Sequence, residues 1–452
     1  MAKKTKAANL SIEEKLEQTL IVPGYEPYKI PDNWCWTQWK MCGEFVAGSA
    51  FKEKYQGIPD LEIPFYKVGS LKYADNNGLL YDSDNTIDED IRGILKAKLI
   101  PSYSVLFAKI GEAIRLNRRA LNYKPCCIDN NLMAFIADNN CYFKYVLYWS
   151  MTVDFYTYTN ATTVPAIRKT DLESIPFPVA PLDEQHRIVE RIESLFSKLD
   201  EAKEKAQEVI NSFEIRKAAI LHKAFSGELT AKWREENGVG IDEYPVYRFS
   251  EVAEIKSNLV DPAEYQDYPH IAPDNIEKKT GVLLDYHTIR EDGVTSGKHR
   301  FYPGQILYSK IRPNLSKLVI VDFDGLCSAD MYPIEAKGDT KCLWYYMLSE
   351  EFLEQASSAG SRSVLPKINQ KELSALRIRM PSSIDEQKEI SRLLDSLIEK
   401  EYQSKQVAES VIDQIDAMKK AILARAFRGE LGTNDPEEES AVELLKQILT
   451  GE

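Results

Sequence analysis

The chain carries one long helical segment twice, and the two copies align end to end without a gap. Asp183-Glu184-Gln185 opens the first copy and Ala224-Phe225-Ser226-Gly227-Glu228-Leu229 closes it. Adding 202 gives Asp385-Glu386-Gln387 and then Ala426-Phe427-Arg428-Gly429-Glu430-Leu431. Of the 47 positions from Asp183 to Leu229, 20 are identical in the second copy. About 150 residues of other sequence lie between the copies. Such a repeat gives a monomer approximate internal two-fold character, with two similar but distinct heads on one frame.

Each copy has the 3–4 spacing of a helix that buries a narrow stripe against another helix. The first seam is Ile188, Ile192, Leu195, Leu199, Ala202, Ala206, Val209, Phe213 and Ile220. The second is Ile390, Leu394, Leu397, Ala408, Val411, Ile415, Met418 and Ile422, interrupted at Glu401 and Ser404. Neither copy holds a Pro or Gly before its closing glycine, so each is expected to be helical over some 43 residues, roughly 65 Å at about 1.5 Å per residue. Gly227 and Gly429 then supply the left-handed residue that ends a helix. One such segment alone reads as a dimerisation coil. Two in one chain are expected to pair with each other, antiparallel, as a rigid spacer.

The flanking segments repeat more faintly. Leu106-Phe107-Ala108-Lys109-Ile110 matches Leu307-Tyr308-Ser309-Lys310-Ile311 at a shift of 201, and Cys126 and Asp129 fall on Cys327 and Asp330. Val164-Pro165 followed by Leu172 resembles Leu365-Pro366 followed by Leu373. Upstream the shift drifts to 205 and 210, as loop insertions in two diverged domains would produce. Runs such as Ser104–Ala108 and Lys317–Val321 read as strands, with turns at Asn76-Asn77-Gly78 and Asp292-Gly293. Tyr142–Tyr156 and Lys341–Ser357 read as aromatic-rich helices whose rings pack cores.

These residues resemble the specificity subunit of type I restriction-modification systems. The resemblance rests on the Asp-Glu-Gln opening, the heptad helix and the Ala-Phe-x-Gly-Glu-Leu ending, all present twice. Pro31-Asp32-Asn33-Trp34-Cys35-Trp36, Leu229-Thr230-Ala231-Lys232-Trp233-Arg234, and Asp435-Pro436 followed by Val442–Leu449 add to it. It covers nearly the whole chain, from about Tyr28 to Glu452. It implies that each variable domain reads one half of a split, asymmetric site in double-stranded DNA. It also implies that the helices set the gap between half-sites and dock two modification (methyltransferase) subunits, with restriction/translocase subunits in the full complex. S-adenosylmethionine, ATP and Mg2+ are then expected in those partners, and no cofactor in this chain.

The net charge of −13 looks wrong for a DNA binder, because phosphate contacts supply most non-specific affinity. Residues 31–180, however, carry 16 Lys+Arg against 17 Asp+Glu, and residues 241–381 carry 17 against 21. The last 21 residues hold six acids and one lysine, so part of the acidity sits in a tail that need not touch DNA. Weak binding by this chain alone, with partners adding basic surface, is the expectation. Seven cysteines without a Cys-x-x-Cys pair fit a reduced cytoplasm. No apolar run is long enough to span a bilayer, and no h-region follows the basic start.

Catalytic motifs are missing. There is no Gly-rich cofactor loop with an Asn/Asp-Pro-Pro-aromatic motif and no Gly-x4-Gly-Lys-Ser/Thr loop. Pro273-Asp274 and Glu277-Lys278-Lys279 lie too close together for a nuclease metal site, and five histidines show no metal-ligand spacing. The candidates for function are basic: Lys109, Arg115, Arg118, Arg119, Arg168 and Lys169 in the first domain, and Lys310, Arg312, Lys317, Arg362 and Lys367 in the second. Arginine suits bidentate recognition of guanine, whereas lysine serves mainly phosphate. A proline turn before a short helix, at Pro165 and Pro366, would aim helix N-terminal amides at phosphate.

The reading is a non-catalytic DNA-specificity subunit of mixed α/β (α+β) class, its alternatives being a fused catalytic restriction or methylation protein and a coiled-coil scaffold without DNA function. Its expected parts are an N-terminal extension (1–30), a target-recognition domain (31–181) and a central helical spacer region (182–236). A second target-recognition domain (237–381) follows, then the distal spacer region with its acidic tail (382–452).

Overall fold

The computed structural model describes residues 11–160, 163–240, 244–359 and 366–450. The chain divides into two compact units: Met1–Glu204 with Ile412–Glu452, and Lys205–Val411. Each unit therefore owns one variable domain and a stretch of both long helices.

In the first unit a five-stranded sheet has the order Gly43–Ala47, Leu132–Ala137, Val105–Ala108, Arg119–Asn122, Leu79–Leu80. A three-stranded sheet, Thr86–Ile87, Ile63–Tyr66, Cys127–Ile128, accompanies it. The second unit repeats this plan. Ala253–Ile255, Met331–Ala336, Ile306–Ser309 and Leu318–Ile320 form the counterpart of the larger sheet. Its other sheet runs Leu259–Val260, Lys298–Phe301, Gly325–Cys327, Pro269–Ile271, His287–Thr288, so two strands are added to the common three. Registers correspond too: Val105 lies opposite Phe135 and Leu121, as Ile306 lies opposite Ile334 and Ile320. Val105–Ala108 is buried at every position, which is why it reads as an apolar run rather than an alternation. The helix expected over Tyr142–Tyr156 is shorter, Phe143–Thr152, and the one expected over Lys341–Ser357 is two, Thr340–Met347 and Glu350–Ala359.

The second helical copy is one helix, Ile384–Ala426, of 43 residues. The first departs from the expectation: it is Leu182–Asn211 followed by Phe213–Phe225, interrupted at Ser212. The Ser212 hydroxyl turns back onto the carbonyls of Glu208 (2.5 Å) and Val209 (3.4 Å) while accepting from Arg216. Such back-bonding competes with the helical ladder and bends it. Backbone bonds from Ser212 to Glu208 and from Arg216 to Ser212, both 3.0 Å, carry the chain across the break.

Within each unit the helices pair antiparallel. In the first, Asp200 meets Lys419 at 2.5 Å and Lys203 meets Asp416 at 3.2 Å, one number rising as the other falls. In the second, Phe213 packs on Tyr402 with ring centroids 4.9 Å apart, and Arg216 meets Glu401 at 2.7 Å. Glu401, which interrupts the apolar seam, is thus the partner of an arginine on the facing helix. Ile188, Ile192, Ile390 and Leu394 are fully buried. Leu195, Leu199, Leu397 and Val411 are only half-buried. Ala202 and Met418 face solvent, and Ile398 fills the place expected of Leu397. A strict seven-residue repeat drifts around a helix of 3.6 residues per turn, and burial follows the helix.

Each domain is fastened to its helix by the same set of contacts. Gln185 accepts from the Tyr142 amide at 2.8 Å and donates to the Ala180 carbonyl at 2.9 Å. Gln387 does the same with Asp339 and Pro381, both at 2.8 Å. About two turns on, Glu193 holds Lys144 at 2.6 Å, and Asp395 holds Lys341 at 2.7 Å. At the far end Phe427 stacks edge-on against Tyr145 and Phe225 against Tyr346, each with centroids 5.0 Å apart.

The glutamates beside those glutamines are buried with different partners. Glu184 accepts from the Trp34 indole at 2.7 Å and the Asn434 amide at 2.9 Å. Glu386 accepts from Thr230 and Tyr244 hydroxyls, both 2.7 Å, and faces Arg234 at 3.4 Å. The two closing glycines are left-handed, with φ +89° at Gly227 and +72° at Gly429. A Cβ at Gly429 would lie 2.3 Å from the Pro31 ring. Gly429→Ala is accordingly expected to cost the first unit about 1–3 kcal/mol, the left-handed conformation alone accounting for about 1–2. Urea denaturation followed by tryptophan fluorescence measures it, and an unchanged midpoint would refute the packing argument.

Candidate nucleic-acid interface

The basic residues singled out from sequence do not form one surface of equivalent groups. Arg118, Arg168 and Arg312 are exposed, and among the described residues no hydrogen bond or ion pair holds their side chains. Arg312 sits in the left-handed region at φ +46°, fixed by its amide on the Pro366 carbonyl at 2.7 Å. Its counterpart, Gly111, bonds the Pro165 carbonyl at 2.8 Å, so the same corner recurs in both domains. Lys169 is exposed and lies 3.6 Å from Glu173. Arg115 is exposed too, but Glu112 holds it at 2.7 Å and it lies over the Tyr156 ring at 3.6 Å.

Arg119 is a correction. It is buried, donating to the Asn117 side chain at 2.8 Å and the Val153 carbonyl at 3.3 Å. Its guanidinium stacks over Phe155 at 3.6 Å, and burial pushes its pKa down to about 9. It belongs to the core and cannot reach a ligand. Lys317 is a second correction: its amine is tied to the Pro273 carbonyl at 2.7 Å and to Asp274 at 3.3 Å. Arg362 lies outside the described residues. The expected helix N-termini are modest as well. Lys169–Glu173 and Gln370–Ala375 have five and six residues, and the second is already capped by Asn369.

What the fold does bring together is a lysine at the end of a central strand with an aspartate across from it. Lys109 is half-buried, and burial lowers its pKa against the pull of Asp129. In the second domain Lys310 lies 4.0 Å from Asp330, which also takes Lys367 at 3.0 Å. Burial, and then Lys367, lower Lys310. Lys298, on one of the added strands, is buried and acted on by the same Asp330. Sequence reasoning passed over Lys298 and gave the aspartates no role, although Asp129 and Asp330 stand at one repeat position.

Among the described residues no group of three His, Cys, Asp or Glu is arranged to hold a metal, and all seven cysteines are free and buried. None of their helices is long and apolar enough to cross a membrane. The model of the type I restriction modification DNA specificity domain matches the chain twice, at residues 42–212 and 241–410. The chain belongs to this specificity family. It is 37% identical over 334 residues to the type I restriction enzyme EcoDI specificity subunit of Escherichia coli, covering 67% of this chain and 75% of that one. The Escherichia coli EcoBI specificity subunit is 24% identical over 320 residues, covering 64% and 67%. The crystal structure of the HsdS subunit from Thermoanaerobacter tengcongensis shares the fold, with TM-score 0.61 at 18% identity over 89% of this chain and 99% of that one. This specificity subunit is therefore a non-catalytic chain of mixed α/β architecture with two recognition domains and two long helices.

Proposed function

We propose that each domain of this specificity subunit reads one half of an asymmetric, bipartite site in double-stranded DNA. The paired helices set the separation of the half-sites and dock two modification subunits. Restriction subunits complete the assembly in the cytoplasm, and S-adenosylmethionine, ATP and Mg2+ are used by those partners. The observation that carries this reading is the duplicated fastening of domain to helix, Gln185 with Glu193 and Gln387 with Asp395. Heads held identically, each on its own helix, can be exchanged in what they read without altering how they are held. Arg118, Arg168 and Arg312, exposed and without side-chain partners among the described residues, suit base edges, and Lys109 and Lys367 suit phosphate, whereas the Lys310 amine is held by the Ala329 carbonyl.

Replacing residues 31–180 by those of a relative is expected to change one half-site and leave the other and the gap intact. Removing one heptad from both helices is expected to change the gap alone. Methylome sequencing of a strain expressing each variant with its partners reads both outcomes, and altered bases after a heptad deletion would sink the division of labour. Arg118→Ala should act only on the first half-site and Arg312→Ala only on the other, by about 1–3 kcal/mol of discrimination if each meets a guanine. A phosphate contact would instead weaken all sequences alike and lower the salt slope by about 1.

A further inference from the structure

The first domain carries a surface feature that the second lacks. Tyr81, Tyr123, Tyr103, Phe143, Tyr142 and His186 form a continuous stripe of rings, successive centroids lying 5.0, 6.2, 4.8, 5.0 and 4.0 Å apart. The three leading tyrosines are 43, 42 and 39% exposed, while Tyr142 and Phe143 are half-buried against the core. The second domain folds without the exposed end of the stripe. Tyr103 occupies a left-handed turn at φ +61° with its amide on the Asn122 carbonyl at 2.7 Å. The same turn in the second domain has Gly304 at φ +85°, its amide on the Val321 carbonyl at 2.7 Å. The places of Tyr123, Tyr142, Phe143 and His186 are taken there by Asp322, Asp339, Thr340 and Lys388.

A bulky ring kept where the repeat shows that glycine suffices is strain retained for something other than folding. The presentation is built: buried Asn122 accepts from the Ser104 amide at 2.9 Å and donates to the carbonyls of Pro101 (2.7 Å) and Lys124 (2.8 Å), fixing the corner that carries Tyr103 and Tyr123. Carboxylates outnumber cations along the stripe: Asp82 and Asp84 line the cavity beside Tyr81 together with Lys124, the exposed cation next to Tyr123. Asp75 accepts from the Tyr81 hydroxyl at 3.3 Å. At the other end Glu190 is exposed one turn beyond His186, and Glu193 neutralises Lys144 at 2.6 Å. Electron-rich faces edged by carboxylates attract lysine and arginine and repel phosphate.

We propose that this stripe docks a lysine- or arginine-bearing segment of one partner polypeptide in the restriction-modification assembly, once per chain and only at the first domain. The proposal rests on the specificity-subunit reading. It adds that the pseudo-symmetric chain marks one of its halves for a partner that the other half does not hold.

The test places the photo-crosslinker p-benzoylphenylalanine at Tyr123 of the full chain, assembled with its modification and restriction partners. A cross-link to a Lys- or Arg-containing peptide of a partner subunit is expected. A cross-link to DNA or to a second copy of this chain, or none at all, overturns the proposal. Tyr103→Gly relaxes the turn, so its thermal midpoint should hold or rise while partner association at the first domain weakens about tenfold. Glu190→Lys, on an exposed helical position, should weaken it similarly. Unchanged association in both folded variants also overturns it. Half-site methylation is read on the same samples: a partner cross-link with no sequence-specific methylation supports the docking surface while counting against the DNA-reading role.

Discussion

Glu386→Ala is expected to lower the stability of the second unit by about 3–5 kcal/mol, the usual result of removing one member of a buried ion pair. Its side chain is 4% exposed and that of Arg234 7%, so among the described residues the guanidinium left behind keeps the Gly227 carbonyl, at 2.7 Å, and the Tyr244 ring, at 5.3 Å, and no opposite charge. The Thr230 and Tyr244 hydroxyls lose their common acceptor as well. Against a typical domain stability of about 5–15 kcal/mol, the loss threatens folding of that unit. Hydrogen exchange should show lost protection concentrated in residues 205–411, and protection falling equally in residues 31–180 would refute the assignment. Glu184→Gln gives the contrast. Its hydrogen-bond partners, Trp34, Asn434 and the Thr433 hydroxyl, are neutral donors, and burial raises its pKa, so the folded state favours the protonated form. Stability from that group is complete below the ordinary carboxyl range and is lost as pH rises through the raised value. A permanently neutral glutamine should remove that dependence and cost little at pH 7.

Arg119→Ala is expected to destabilise the first unit by about 2–4 kcal/mol without redirecting which bases are read, in the range of large-to-small core changes. The loss combines the stack on Phe155, the bonds to Asn117 and Val153, and the space vacated beside Phe107. Burial of the charge works the other way, so Arg119→Met, which fills the space without a charge, should recover much of the loss. Thermal denaturation of both variants, beside DNA binding at two salt concentrations, separates a core role from a contact role. A normal melting point with altered base preference in Arg119→Ala would return this arginine to the DNA surface.

Much of the frame was legible because the repeat exposes it. Asp-Glu-Gln recurs since Gln185 and Gln387 make identical bonds, and Ala-Phe-x-Gly-Glu-Leu recurs since Phe225 and Phe427 pack identical tyrosines. Ser212 was not legible, because its hydroxyl breaks the ladder only through its own rotamer and Arg216. The basic candidates were least legible. Arg118 and Arg119 are neighbours in sequence, yet Arg118 lies just before the strand and faces solvent, while Arg119 opens a strand buried at every position. Lys317 failed for a similar reason, its amine being captured by a loop more than forty residues away in sequence. Type and clustering identify a charged residue, but the partner that consumes it comes from elsewhere in the fold.

The first unit is closed by bonds between residues four hundred positions apart, such as the Asn33 side chain on the Asp435 carbonyl and the Ala441 amide on the Asn33 carbonyl. The second unit is a single uninterrupted stretch, Lys205–Val411. On the ribosome the order of emergence is therefore reversed in effect. The half whose residues are made first must wait for the last helix to be released, while the half made in between can already be complete. A nascent chain from which Val411 has just emerged into solution would hold one finished head and one still open, leaving Trp34 and its neighbours exposed to chaperones until the rest of the first unit follows.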